Sequence, residues 1–572
     1  MLDEPPQFSE AFKQTKGRLS ISPSGRLVAV VVQYRLTIRD VESLRTVQVF
    51  SHDDEVSHVE WSADSLYVLC VLPHRGLCHV WAVDDAEWYC KIDEGPLGVA
   101  HARWAPDGRH VLSSSDFGMR LTVWSLLDRS VRYIRAPKFP AAAVAFSAEG
   151  GWLAVAERRE GVDALGVYEC GSFERVAHFA LATADVADVC WAPAAAGLVG
   201  GGTRGAGAAD TSSPDWLLVT DGPLQLALFV YRRDGQLISR LAANSTRPAR
   251  ALGARLSAWA PAGRVVAFGS YDGEVRVLVS RTCHCIAQLL HPRTLRATHA
   301  DDDRRDPLVF REELLAADQR ADGAAHGAAE TMVRADSAAM QLQELAESLP
   351  HVDTLTRPTH FVPASAAEQP IHLPRRAAAA LRDEPLPKIG VDVLAWSPDG
   401  RYLATHVEEM PAVLWVWEAV SLRLHTVVIA RAPVLCARWH PLGEVLAFCT
   451  ASCQLYLWSS EGMSVLALPD ELRLRVHRLR WAPDGRSLAL TDAERFCWCY
   501  LPSQPDERSS APARTAAHAP VPSGQEQQDP NLSDKHTLRR AALASAAAPG
   551  TRAGDAFRYD RLSLAQQQAL AI

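Results

Sequence analysis

The sequence predicts an all-β fold, a β-propeller of about nine blades in one ring that the N-terminal strand closes. Two observations predict it. A turn of the type Ser/Ala-Pro-x-Gly recurs along the chain, and strand-like runs flank each turn. Pro fixes φ at the start of such a turn and Gly relaxes it, so each turn separates two strands. A period of about 40–45 residues with several short strands per unit is typical of a propeller.

The repeat is clearest at the residue before each turn, which is aromatic in most units. This column reads Ile21, Trp61, Trp104, Phe146, Trp191, Trp259, Trp396, Trp439 and Trp481. Most intervals are about 40–45 residues, and the two that follow Trp191 and Trp259 are longer. Nine units predict nine blades, and a smaller ring with one or two detached units is the alternative.

Each unit supplies further strands after its turn. A continuous apolar strand such as Leu27–Val32 comes first, and we expect it near the ring axis because strands buried on both faces read as unbroken apolar runs. The next strand ends where WD repeats carry Trp-Asp, and only Asp40 keeps that acid. No unit has a clear Gly-His pair, so we expect blades without an Asp–His hydrogen-bond network. Asp272-Gly273 between two strand-like runs predicts a tight hairpin.

The ends of the repeat region indicate how the ring closes. The last unit has only three strands before the pattern breaks at Leu501, and a strand-like run around Phe8 precedes the first unit without a partner. We therefore expect the N-terminal strand to complete the last blade, since such closure leaves no unpaired edge. The propeller is predicted to occupy residues 1–501.

Two insertions and a tail depart from the repeat. Residues 200–215 are rich in Gly, Ala and Ser and predict a flexible surface loop. Residues 292–387 predict a long, largely disordered insertion with a helix-compatible stretch at 328–349. A partner-binding helix there is the alternative. Residues 502–572, rich in Ala, Ser, Pro and Gln, predict a disordered C-terminal tail.

Composition excludes several classes of protein. The 572 residues are 48% hydrophobic and 22% charged, with a formal net charge of -8. This charge gives no basic surface for nucleic acid. No run reaches the ~18 apolar residues of a membrane span, and the N-terminus lacks the pattern of a secretory signal. The 12 cysteines indicate buried free thiols in a reducing compartment.

The sequence predicts no catalytic residue, no cofactor and no metal site. Cys283-His-Cys285 and Cys497-Trp-Cys499 lack the second ligand pair that a structural zinc site needs. In a strand, residues i and i+2 share a face, so both pairs are expected to pack into a core. No nucleophile elbow, phosphate loop or paired metal-binding motif occurs. We therefore expect a non-enzymatic scaffold whose surface loops and strand edges bind other proteins.

Six segments point to one family. They are residues 33–41, 58–66, 156–159, 269–278 and 387–391, together with Glu-Trp-Tyr-Cys-Lys-Ile-Asp-Glu-Gly at residues 87–95. In these segments the chain resembles the family of WD-repeat protein eight, found at centrosomes and fungal spindle poles. The resemblance runs from about Phe8 to Leu501, apart from the two insertions.

The resemblance implies a scaffold of microtubule-organising centres that acts in mitotic spindle assembly and in anchoring microtubule minus ends. It implies two partners, a coiled-coil microtubule-anchoring protein and a minus-end-directed kinesin, and a location in the cytoskeleton at the spindle pole body or centrosome. A WD-repeat adaptor of another assembly, such as a ubiquitin-ligase substrate receptor, is the alternative. The sequence shows no adaptor-docking Trp-Asp-x-Arg motif that would favour it.

Residues 87–95 are the predicted protein-binding surface, on the outer strand of the second blade. We expect Glu87, Lys91, Asp93 and Glu94 to face solvent. Trp88 is predicted as an anchor for the partner. The alternative is that Trp88 and Ile92 pack within the blade, since large aromatic side chains serve both roles.

Overall fold

The structure is a computed structural model. It describes residues 6–115, 118–138, 143–193, 215–224, 226–242, 252–296, 306–315, 357–364, 370–376, 390–501 and 557–558. Within these ranges the chain forms β-strands and three short 3-10 helices, Pro73–Arg75, Gly95–Leu97 and Asp470–Leu472. No helix in these ranges is long and apolar enough to span a membrane.

The strands form nine successive sheets, which are the blades of the propeller. Strands β1 (Gln7–Phe8) and β2 (Phe12–Lys13) precede the first blade. Blades 1 to 4 contain, in order, β3 (Leu19–Ile21), β4 (Leu27–Val32), β5 (Arg35–Asp40), β6 (Thr46–Ser51); β7 (His58–Trp61), β8 (Tyr67–Leu72), β9 (Leu77–Ala82), β10 (Tyr89–Asp93); β11 (His101–Trp104), β12 (His110–Ser114), β13 (Arg120–Ser125), β14 (Val131–Arg135); β15 (Val144–Phe146), β16 (Trp152–Arg159), β17 (Val162–Glu169), β18 (Arg175–Ala180).

The remaining blades include strands from outside the repeat. Blades 5 and 6 contain β19 (Val186–Trp191), β20 (Trp216–Asp221), β21 (Ala227–Arg232), β22 (Leu237–Ala242); β23 (Ala254–Trp259), β24 (Val265–Ser270), β25 (Val275–Val279), β26 (Cys285–Leu289). The strands between blades 6 and 7 are β27 (Thr294–Leu295), β28 (Leu308–Leu314), β29 (Thr359–Pro363) and β30 (Ile371–His372). Blades 7 to 9 contain β31 (Val391–Trp396), β32 (Tyr402–Val407), β33 (Val413–Glu418), β34 (Arg423–Ile429); β35 (Cys436–Trp439), β36 (Leu446–Cys449), β37 (Gln454–Ser459), β38 (Gly462–Ala467); β39 (Arg478–Trp481), β40 (Ser487–Thr491), β41 (Arg495–Tyr500). A last strand, β42 (Phe557–Arg558), follows the ring.

The predicted fold class is confirmed: the chain is an all-β, nine-bladed propeller in one ring. The turns that revealed the repeat join the first and second strands of the blades, and the positive φ of Gly25 (74°) and Gly400 (73°) shows why glycine closes them. First strands contact one another between neighbouring blades, as β3 contacts β7 and β35 contacts β39. The first strand is therefore the inner one, and the apolar strand predicted near the axis, Leu27–Val32, is second in its blade.

Six tryptophans of the repeat column each join their blade to the one before it. Six indole N–H groups donate to a backbone carbonyl on the first strand of the preceding blade, with N···O distances of 2.9 to 3.2 Å: Trp61 to Ser20, Trp104 to Glu60, Trp191 to Ala145, Trp396 to Ala258, Trp439 to Ala395 and Trp481 to Arg438. Apolar clusters fill the spaces between the blades. The aromatic column thus has a structural cause, since its indoles satisfy carbonyls on the inner strand of the preceding blade.

The N-terminal strands close the ring, as predicted. Both β1 and β2 pair antiparallel with β41, with Phe8 opposite Cys499 and Phe12 opposite Phe496. The Gln14 side-chain amide donates to the carbonyls of Asp492 and Arg495, each at 2.8 Å. The last blade therefore obtains its outer edge from the start of the chain.

The cysteine pairs behave differently from each other. Cys497 and Cys499 are both fully buried, and burial raises the pKa of each thiol to about 12. Cys283 is buried, but Cys285 is exposed at the start of β26. The expectation that both pairs pack into a core is therefore correct for the second pair and wrong for the first, because Cys283 precedes the strand in a positive-φ conformation.

The region predicted as a largely disordered insertion, 292–387, contains ordered strands that the sequence analysis did not anticipate. Strands β27 and β30 pair with each other. Strand β28 pairs parallel with β34 of blade 7, and β29 pairs antiparallel with β28. The predicted helix at 328–349 lies outside the described residues. So do the predicted loop 200–215, apart from Asp215, and the predicted tail 502–572, apart from Phe557 and Arg558.

Candidate protein-interaction surface

The predicted surface begins with a tight turn between β9 and β10. Asp85 holds this turn through its side chain, which accepts from the Glu87 N–H at 3.2 Å, and through its carbonyl, which accepts from the Trp88 N–H at 3.1 Å. Glu87 is exposed at the tip of the turn. The turn thus presents an acidic side chain on the rim of a rigid sheet.

Trp88 is half-buried and packs within the blade. Its ring lies 5.0 Å from the ring of Tyr67, and it contacts the apolar cluster between blades 2 and 3. The guanidinium of Arg109 lies over the other member of this pair, 5.5 Å from the Tyr67 ring centroid. Trp88 is therefore fixed in place by packing, and only part of its surface is available to a partner.

Strand β10 separates its side chains into two sets because successive side chains of a strand point to opposite faces. Cys90 and Ile92 are fully buried against blade 3, whereas Tyr89, Lys91 and Asp93 are half-exposed. The Ile92 part of the packing alternative is correct. Lys91 lies opposite His79 of β9, whose pKa falls to about 4 through burial first and the nearby Lys91 charge second. Asp93 accepts from the Gly95 N–H at 2.8 Å.

Glu94 does not face solvent, and the prediction for this residue is wrong. Its side chain is 1% exposed and pairs with Arg120 at 3.1 Å. It also accepts from the hydroxyl of Ser113, which in turn accepts from the Trp124 indole N–H at 2.7 Å. Glu94 thus ends a chain of hydrogen bonds that fixes the third blade, so its role is structural.

A similar chain occurs in blade 7, where it joins Trp, Thr and His side chains without an Asp. The indole N–H of Trp417 donates to the Thr405 hydroxyl at 2.8 Å, and that hydroxyl lies 2.9 Å from Nε2 of His291. Nδ1 of His291 lies 2.9 Å from the carbonyl of Gly273. The histidine comes from the connection between blades rather than from a Gly-His pair. His291 lies 114 residues before Thr405 in the sequence, so local patterns do not predict this chain.

The ring carries this surface on its outer edge, where the last strand of each blade ends its sheet. At blade 2 one further strand is present, because β42 pairs antiparallel with β10, with Lys91 opposite Arg558 and Ile92 opposite Phe557. The repeat pattern does not predict this pairing. One signal for it exists: Phe557 and Tyr559 are the aromatic residues (Phe, Tyr or Trp) in the sequence after Leu501.

The described residues show no arrangement typical of a catalytic or metal centre. Within them, no group of three or more His, Cys, Asp or Glu side chains is placed to hold a metal ion. The buried carboxylates in this part of the chain accept hydrogen bonds from hydroxyl and backbone donors, as Glu94 and Glu312 do. The sequence-predicted surface therefore reduces to Glu87, Trp88, Lys91 and Asp93, with Glu94 behind it as support.

Comparisons with known proteins place the chain among WD-repeat proteins. It is 34% identical over 497 residues to the WD repeat-containing protein WRAP73 of Mus musculus, an alignment that covers 86% of this chain and 96% of the mouse protein. An uncharacterised WD repeat-containing protein of Schizosaccharomyces pombe is 22% identical over 441 residues, covering 74% of each chain. No family model matches.

Solved propeller structures also match. The C-terminal WD40 domain of Sif2 is 10% identical with a TM-score of 0.41, covering 87% of this chain and 100% of that one. The propeller domain of Cps50 (Swd1) from Myceliophteria thermophila is 12% identical with a TM-score of 0.34, covering 78% of this chain and 99% of that one.

Proposed function

Because the chain belongs to the family of the WD repeat-containing protein WRAP73, we propose that it is a non-enzymatic protein-interaction scaffold at the spindle pole. In this proposal it acts in mitotic spindle assembly and in anchoring microtubule minus ends at the microtubule-organising centre. Its partners are a coiled-coil microtubule-anchoring protein and a minus-end-directed kinesin. The resemblance described for residues 87–95 and five other segments supports this location.

The observation that carries the interaction role is the rim of blade 2. Glu87 is exposed at the tip of the turn next to the half-buried Trp88, and Lys91 and Asp93 are half-exposed on the adjoining strand β10, which the core holds through Ile92. A partly accessible tryptophan with a charged rim fits the usual anatomy of a protein interface. A rigid surface also binds at a lower entropic cost than a mobile one.

The test is affinity purification of the tagged full-length protein from mitotic cells, with the recovered proteins identified by mass spectrometry. We expect the coiled-coil anchoring protein and the kinesin with the wild-type chain. The double substitution Glu87→Lys with Asp93→Lys should reduce their recovery, because it reverses both acidic charges on the rim. Thermal unfolding of this variant should match the wild type, since both side chains lie outside the core.

Glu174→Lys is the matched control. Glu174 is an equally acidic and exposed side chain next to the outer strand of blade 4. It should leave partner recovery unchanged. Equal loss with both variants would mean that general charge, rather than the rim of blade 2, determines binding. Recovery of ubiquitin-ligase adaptors by the wild type, or of no stable partner, would contradict the proposed function and favour a different assembly.

A further inference from the structure

The outer edge of blade 2 is covered by a strand from the far end of the chain. Strand β42 makes this sheet five-stranded, in the order β42-β10-β9-β8-β7. The outer strand of a sheet presents a row of unpaired N–H and C=O groups, which can pair with any extended chain of suitable sequence. The tail uses this property, since its contact with β10 is a pairing of main chains.

The edge that receives the tail is anchored to the ring by buried side chains. Cys90 and Ile92 are fully buried against blade 3, and Glu94, the residue that follows β10, is buried and pairs with Arg120. In the described part of the chain, the outer strands of blades 1, 3, 4, 5, 6 and 8 end their sheets without an added strand. The pairing therefore selects one edge among several that are open to the same main-chain contact.

The tail is suited to strand formation at one place. After Leu501 the sequence is dominated by Ala, Ser, Pro and Gln, and its Phe and Tyr residues are Phe557 and Tyr559. Aromatic residues favour strands, whereas Ala and Pro do not. The strand in the tail lies at this aromatic sequence, so composition and pairing identify the same segment independently.

The register of the pairing aligns two basic residues. Lys91 of β10 is the partner of Arg558, and Ile92 is the partner of Phe557. Like charges directly opposite each other weaken an antiparallel pair. The pairing also spans only two residue pairs. Both features make this a contact that forms and opens readily.

We infer that the outer edge of blade 2, Tyr89–Asp93, is a strand-docking site whose ligand is the segment of the same chain that carries Phe557 and Arg558. The segment adds as an antiparallel strand and is held by main-chain hydrogen bonds to β10. Its release exposes the edge next to Lys91 and Asp93. This inference goes beyond the proposed function and holds whether or not the chain acts at the spindle pole.

Hydrogen–deuterium exchange on the full-length protein tests the docking. In the wild type, the amides of Tyr89–Asp93 should exchange more slowly than those of the uncovered outer strand of blade 3, Val131–Arg135. Phe557→Pro removes a strand N–H and disfavours pairing. It should raise exchange at Tyr89–Asp93 to the rate of Val131–Arg135 and leave the latter unchanged. Unchanged protection in this variant overturns the inference, and the substitution lies outside the ring, so it cannot unfold a blade.

Charge reversal tests the register. Lys91→Glu places opposite charges across the pair, so protection at Tyr89–Asp93 should increase about two- to fivefold. Arg558→Glu should do the same. The double variant with both reversals restores like charges and should return to the wild-type rate. Lys91→Glu is also combined with Phe557→Pro. If the increased protection of Tyr89–Asp93 persists in this combination, the tail does not cause it, and the inference is contradicted.

Dilution distinguishes the two sources of the strand. Docking within one chain gives the same protection at all protein concentrations, whereas a tail from a second copy gives protection that falls on dilution. Exchange is therefore repeated after a tenfold dilution. Protection that disappears on dilution overturns the assignment to the same chain and indicates exchange of tails between copies.

Discussion

The outer edges of blades 7 and 2 are both covered by strands from outside the repeat, but to different depths. At blade 7, β28 pairs with β34 over four residue pairs and with β29 over five. At blade 2, β42 pairs with β10 over two. Each region also holds one buried carboxylate. It lies on the covering strand at blade 7, where Glu312 belongs to β28, and directly after the covered strand at blade 2, where Glu94 follows β10.

The position of the carboxylate decides which covering strand is part of the fold. Glu312 accepts from the hydroxyls of Thr359 and Tyr456, at 2.7 and 2.8 Å, and from the Arg431 N–H at 2.8 Å. Loss of β28 would leave the Arg431 N–H without this acceptor and would remove one of the two hydrogen bonds of the buried Tyr456 hydroxyl, which is costly. Loss of β42 leaves the bonds of Glu94 intact. A strand that contributes a buried polar group is therefore structural, and one that adds only main-chain pairs can act as a ligand.

Glu312→Ala should have the largest effect, because it removes the anchor of the covering strand at blade 7. The Arg431 N–H loses its acceptor, and the hydroxyls of Thr359 and Tyr456 each lose one of two partners. We therefore expect a loss of roughly 3 kcal/mol in the free energy of unfolding. Chemical denaturation followed by tryptophan fluorescence measures it. Glu313→Ala is the control, because the neighbouring Glu313 is exposed and should cost less than about 0.5 kcal/mol. Equal losses for the two variants would show that β28 is not anchored through Glu312.

Glu94→Ala should destabilise the ring by roughly 2 kcal/mol, because the Ser113 hydroxyl and the Arg120 guanidinium lose their buried partner. Asp93→Ala, one residue earlier, removes a hydrogen bond to one N–H of a half-exposed loop and should cost less than about 1 kcal/mol. The same unfolding experiment compares them. The comparison tests whether Glu94 has a structural role and Asp93 belongs to the candidate binding surface. A larger loss for Asp93→Ala would reverse these two assignments.

A moderate decrease in pH should have the smallest effect on stability, and it should affect both regions. Burial lowers the pKa of His291, near blade 7, to about 4. It lowers the pKa of His52, which follows blade 1 and contacts blade 2, to about 3, and that of His79 in blade 2 to about 4. The unfolded chain has a histidine pKa near 6.5 and takes up protons first. The stability contributed by neutral His291 is therefore complete above pH 6.5 and is lost as the pH falls towards 4.

When the pH falls from 7 to 6, one such histidine should lower the free energy of unfolding by about 0.7 kcal/mol. We expect His291→Gln to be less stable than the wild type at pH 7, with a stability that depends less on pH by about this amount. Unfolding free energies measured at several pH values give the two slopes. Identical slopes would mean that His291 does not remain neutral in the folded chain.

The sequence predicted the ring because its signals are local. Most blades are recognised by a turn and a neighbouring aromatic residue such as Trp396. Both lie within a few residues of the strands that the turn connects. The closure by Phe8 and Phe12 was also predicted, since a three-stranded last unit needs an edge. At the candidate surface, the exposure of Glu87 and the half-exposure of Lys91 and Asp93 follow from strand alternation.

The features that the sequence analysis missed depend on residues that are distant in the chain. Glu94 was expected in solvent because it follows a half-exposed strand, but Ser113 and Arg120 of the next blade surround it. Strand β28 lies in a region of charged composition, and its pairing partner β34 lies more than a hundred residues later. The Trp417–Thr405–His291 chain likewise joins two blades.

The sequence by itself determined the number of blades, the position of their turns and the closing strand. These features follow from the conformational preferences of Pro and Gly and from apolar periodicity, which act over a few residues. Only the tertiary structure decided which carboxylates are buried, which edges are covered and where the tail strand pairs. These depend on contacts between blades, which form only when the ring brings distant segments together and removes water from between them.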